Sequence, residues 1–129
     1  MAQVASTKIL AVMNDLFFSV KINDCAKRLG MTTEFVKDKT IALDKIKAQP
    51  PLVIFDLNCA EADPLELIRA AKGMPTIGFV SHVQTELRQK AVEAGCSVVV
   101  ARSSFAQNLD RLIESATRQS QRSATDQSR

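Results

Sequence analysis

At 129 residues and 46% hydrophobic composition, the chain can bury one core without disulfide or metal support, so a single domain is expected. With 17 Lys and Arg against 14 Asp and Glu the net charge is only +3, which excludes a strong field for nucleic acid or an anionic membrane. The opening MAQVASTK is too polar for a signal peptide and no apolar run approaches the roughly 20 residues of a membrane span, so a cytoplasmic protein is expected.

In chain order, KILAVM (8–13) is a short apolar strand that ends at Asn14-Asp15, either of which can cap a following helix. That helix carries Phe18, Ile22, Cys25, Ala26 and Leu29 on one face, and Gly30 ends it. TTEFV (32–36) reads as a second strand, residues 40–48 as a short helix stopped by Pro50-Pro51, and LVIFD (52–56) as a strand buried on both faces. Asp63-Pro64 predicts a helix start, with the aspartate as cap and proline in the first helical position. PTIGFVS (75–81) is the fourth strand, 84–94 a helix closed by Gly95, and SVVVA (97–101) the fifth strand.

Ser104 and Gln107 have capping-box spacing, which predicts that Ser104 opens the last helix, with Phe105, Leu109, Leu112, Ile113 and Ala116 as its stripe. From Thr117 onward no apolar residue is larger than alanine, so residues 117–129 are expected to form a flexible polar tail behind a domain spanning 7–116. Cys25, Cys59 and Cys96 are an odd number at irregular spacing, which favours reduced thiols, and together with His82 they do not converge on a metal. Cys59, close after Asp56, is a candidate accessible thiol, and His82 a solvent-exposed loop residue.

Strands alternating with helices imply an α/β fold with a doubly wound five-stranded parallel sheet and helices on both faces. Its length suits the flavodoxin-like strand order 2-1-3-4-5, whose ligand site lies at the carboxyl ends of strands 1 and 3. Those ends are Met13-Asn14 and Asp56.

On VIFDLN (53–58), DPLELIRAAK (63–72) and AVEAGCS (91–97), the chain resembles the receiver domains of bacterial two-component response regulators, the CheY-like family, over residues 7 to 116. The resemblance implies that Asp56 occupies the phosphoacceptor position. It also implies that Met13 and Asn14 stand where the family carries two magnesium-binding acids, Val80 where it carries a switch threonine, and Arg102 where it carries a lysine, followed by Ser103 for a proline. The inward-turning aromatic of the fifth strand falls on Val98 or Val99.

These replacements predict a degenerate pocket of Met13, Asn14, Asn58, Val80, Ser81 and Arg102 around Asp56, because a thioether and a neutral amide are poor magnesium ligands. No cofactor is expected, magnesium binding is weak at most, and Asp15 is read first as a helix cap. Arg102 is expected to pair with Asp56, so that neutralising the carboxylate would cost about 1–3 kcal/mol.

The resulting expectation is an atypical single-domain receiver-like protein, not an enzyme. It would act as a protein-interaction or regulatory module whose partner is a histidine kinase or a signalling output protein, with homodimerisation through the face of helix 84–94, strand 97–101 and helix 105–116. Arg88 and Arg111 are its candidate contact residues. Two alternatives stand beside it. One is a phosphoacceptor regulator modified on Asp56; the other is a small-anion site using Asn14, Asn58, Ser81 and Arg102, or a weak nucleic-acid binder through Arg118, Arg122 and Arg129.

Overall fold

The computed structural model describes residues 8–81 and 84–127. Five parallel strands, β1 (Lys8–Val12), β2 (Thr32–Val36), β3 (Val53–Asp56), β4 (Thr76–Val80) and β5 (Val98–Ala101), form one sheet in the order β2-β1-β3-β4-β5. The helices are α1 (Leu16–Arg28), α2 (Lys39–Ile46), α3 (Pro64–Ala70), α4 (Thr85–Ala94), α5 (Arg102–Gln107) and α6 (Leu109–Gln127). The expected flavodoxin-like architecture is the observed one.

Alternation along the strands divides the core into two layers. Leu10, Val12, Val53, Phe55, Val80 and Val99 pack with α2, α3 and α4. Ile9, Ala11, Met13, Ile54, Ile77 and Phe79 pack with α1 and with Phe105, Leu109 and Ile113 of α5 and α6. Gly78 in β4 sits in a tight spot: a Cβ there would lie 3.3 Å from both Leu57 Cδ1 and Cys96 Sγ, so those side chains would have to give by a few tenths of an ångström. At Gly30, φ of +76° is the left-handed turn that ends α1.

Two local expectations are corrected. Asp63 precedes α3 but does not cap it through its side chain: its backbone is left-handed (φ 51°), a 3₁₀ turn at Ala60–Ala62 feeds into it, and its carboxylate pairs with Lys39 at 3.2 Å. Ser104 is not the cap of the last helix, because helical backbone already begins at Arg102 and breaks at Asn108, whose Nδ2 donates to the Ser104 carbonyl at 3.1 Å. The backbone from Thr117 to Gln127 continues α6. That segment lacks Gly and Pro, Arg118 pairs with Glu114 one turn back at 3.0 Å, and extending an existing helix avoids the cost of nucleating one.

All three cysteines are free and buried. For Cys59 this corrects the expected accessible thiol, and burial raises its pKa, with Asp56 adding to the effect. The Cys25 thiol, covered by packing and hydrogen-bonded toward Asp110, is pushed up to about 12. Among the described residues no helix is long and apolar enough to cross a membrane, and no group of three or more His, Cys, Asp and Glu side chains is placed to hold a metal ion. His82 lies outside the described residues.

Candidate functional site

Asp56 is the last residue of β3 and only 7% exposed. Its strand neighbours fix its direction: Phe55 enters the layer beneath α2 to α4, so Asp56 points to the opposite side, beside its register partner Phe79 and under α1. The Asn58 N–H donates to Asp56 Oδ1 at 3.0 Å, a turn closed on its own carboxylate.

Arg102 leaves the end of β5 on the same side. Its guanidinium lies 4.8 Å from the Phe18 ring centroid and 5.2 Å from that of Phe79, while Phe79 stacks on Phe105 at 4.6 Å. One terminal nitrogen, Nη2, donates to Asp15 Oδ2; the other, Nη1, lies 3.6 Å from Asp56 Oδ1. The expected contact between Arg102 and Asp56 is present, but it is the looser of the two, and Asp15 is the close partner.

Asp15 both caps and pairs. Oδ1 accepts the Phe18 N–H at 3.1 Å, which is the cap read from the sequence, and Oδ2 turns to Arg102. A carboxylate has two oxygens, so capping never prevented the second role. Phe18 and Phe79 are the site residues that sequence reasoning missed, and Asp15 is read from the sequence first as a cap. The readable signal for Asp15 was a carboxylate three residues past the end of β1, where the family's usual acids are lacking.

Burial raises the Asp56 pKa, with the nearby Asp15 charge adding to it; the Asn58 N–H and Arg102 oppose the shift without cancelling it. Ionised Asp56 is therefore a cost to the folded state, which revises the expectation that neutralising it removes 1–3 kcal/mol of stability. An asparagine there would keep an acceptor for the Asn58 N–H and leave Arg102 with Asp15.

The other pocket residues are dispersed. Met13 is buried among Phe18, Phe79 and Phe105, and Asn14 is exposed. Val80 belongs to the opposite core layer. Asn58 ties the strand-end loops together: Oδ1 accepts the Ser81 N–H at 3.2 Å, and Nδ2 donates to Gln84 Oε1. Of the four residues of the anion-site alternative, Asn58 and Ser81 are therefore in contact, Asn14 is exposed, and Arg102 is engaged by Asp15 and Asp56. Val99, one of the two candidates for the aromatic position, is a small side chain in the layer of Val80.

The residues present are a poor fit for the magnesium that the family resemblance implies. It needs near-octahedral oxygen donors, whereas Met13 is in apolar core, Asp15 already serves a backbone N–H and a guanidinium, and the walls around Arg102 are phenyl rings.

No family model matches the sequence. No curated protein matches it either. Solved structures do match. A CheY-like response regulator receiver domain protein from Methanospirillum hungatei JF-1 is 19% identical with a TM-score of 0.77, over 91% of this chain and 98% of that one. A response regulator from Hahella chejuensis is 22% identical with a TM-score of 0.72, over 87% and 93%. The beryllofluoride-activated NtrC4 receiver domain, solved as a dimer, is 17% identical with a TM-score of 0.68, over 85% and 98%. Strand order, layer composition and these superpositions agree that the chain has the fold of the CheY-like response-regulator receiver domains.

Proposed function

We propose that this chain is an atypical receiver-like signalling module that works through protein contacts, without efficient magnesium-dependent phosphorylation of Asp56 and without enzymatic activity of its own. The observation that carries this reading is the Arg102 guanidinium lying between Asp15 and Asp56. Phosphoryl transfer to a carboxylate needs a cation that bridges donor and acceptor oxygens and an acceptor oxygen open to in-line attack. Here the cation is a side chain packed against two phenyl rings, and Asp56 is nearly enclosed.

The partner is a histidine kinase or an output protein in a cytoplasmic signalling pathway, and residues 7–116 form the working domain. Self-association through α4, β5 and the last helix would use Arg88 and Val92, the latter 52% exposed. Arg111, exposed on the last helix, also lines a groove of about 420 Å³ with Lys21, Asp24 and Arg28 between α1 and the α5–α6 junction. A second surface is favoured by the apolar stripe on α1, where Leu16, Phe17 and Val20 are 82%, 65% and 56% exposed.

The test is incubation with acetyl phosphate and magnesium, read by intact mass. The expected result is no adduct. An adduct of one phosphoryl group, lost in Asp56→Asn, would replace this reading with the alternative of a working phosphoacceptor.

A further inference from the structure

The chemistry of the pocket around Arg102 fits a different cation from the one the fold ordinarily uses. A guanidinium is flat and weakly hydrated, carries donors only at its edge, and presents two faces that stack on aromatic rings. The pocket supplies an aromatic wall on one side of the guanidinium and carboxylate acceptors at its edge. Phe18 and Phe79 lie within 4.8 and 5.2 Å of the guanidinium carbon; Asp15 Oδ2 accepts at one edge and Asp56 Oδ1 lies 3.6 Å from the other. The rings are themselves fixed, Phe18 against Phe79 at 5.2 Å and Phe79 against Phe105 at 4.6 Å. A hydrated magnesium ion would gain nothing from phenyl walls.

We infer that the site built by Asp15, Asp56, Phe18 and Phe79 is a guanidinium receptor, with Arg102 as its tethered occupant and resident counter-ion. The inference rests on the reading that the pocket does not depend on magnesium, and it adds the class of ligand for which the pocket is shaped. It also distinguishes arginine from lysine: an ammonium can reach two carboxylates, but as a strongly hydrated point charge it offers no flat face to stack on a ring.

The experiment is chemical rescue in the full chain. Arg102→Ala empties the pocket and should lower the melting temperature. Guanidinium chloride at about 20 mM should then raise it by ~2–4 °C, while the same concentration of sodium or magnesium chloride should not. Wild type, with the pocket filled, should show no rise, and Arg102→Ala combined with Asp15→Asn should lose the rescue. Rescue by magnesium instead of guanidinium would mean a latent metal site and would overturn the inference, as would rescue by neither.

Should Arg102→Ala fail to fold, Arg102→Lys keeps the charge and tests the same point. The inference requires it to melt below wild type, and equal stability would refute it. Phosphorylation of the wild type by acetyl phosphate bears on the functional reading alone, so the two can fail separately.

Discussion

Replacing Asp15 and Asp56 one at a time by asparagine should reverse the ranking that their positions in the sequence suggest. At Asp15, asparagine retains a cap oxygen for the Phe18 N–H but loses the charge that holds Arg102. Both side chains are partly exposed, 33% and 24%, so the solvent-screened value of this charge-assisted pair is about 1 kcal/mol. Asp15→Ala also removes the cap, worth about another 1 kcal/mol, for a total near 2.

At Asp56, asparagine keeps the acceptor for the Asn58 N–H and removes a carboxylate that burial disfavours, so stability should be unchanged or slightly raised, within about 1 kcal/mol of wild type. Urea melts at neutral pH, with the slope m unchanged across the set, would measure all three variants. If Asp56→Asn proved more destabilising than Asp15→Asn, Arg102 would be serving Asp56 first, and the assignment of its close partner would be wrong.

The pH dependence has a definite sign. The folded-state pKa of Asp56 is raised, so the native state retains a proton that the unfolded chain releases. Its contribution to stability is present below the unfolded value near 4 and is lost as pH rises through the folded value. The stability of Asp56→Asn relative to wild type should therefore increase upward from about pH 4 and level off; melts of both proteins across that range would show it, and a difference independent of pH would refute it. Phe105→Ala, in a fully buried ring stacked on Phe79, should cost about 3–5 kcal/mol in denaturant melts and loosen the platform under Arg102. None of the three cysteines should react rapidly with a thiol-specific reagent in the native protein, and all three should react once it is unfolded; fast native labelling of Cys59 would contradict its burial. Exchanging Leu16 and Phe17 for serine should leave the melting temperature within about 2–4 °C of wild type while weakening partner capture, and Arg88→Glu should weaken self-association; if neither substitution alters any association, the proposed surfaces are wrong.

The sequence by itself determined the layers and their order. Apolar runs such as VIFD and TIGFV, buried on both faces, require helices above and below, and alternation within them set which residue enters which layer. It also put Asp56 at the mouth of the sheet, since that follows from where a strand ends, while Arg102 was placed in the site by the family resemblance. Only the tertiary structure decided which carboxylate Arg102 takes. Asp15 is 87 residues away in the chain, and its choice of partner depends on how far α1 swings over the sheet and which oxygen the cap leaves free. Tertiary packing likewise brought Phe18 and Phe79 against the guanidinium, because a ring read as core from periodicity has an outer face that only the assembled layer exposes to a neighbour. The helix from Thr117 to Gln127 was illegible for a different reason: composition reports whether a segment can bury apolar surface, whereas its backbone there follows from the helix already running into it.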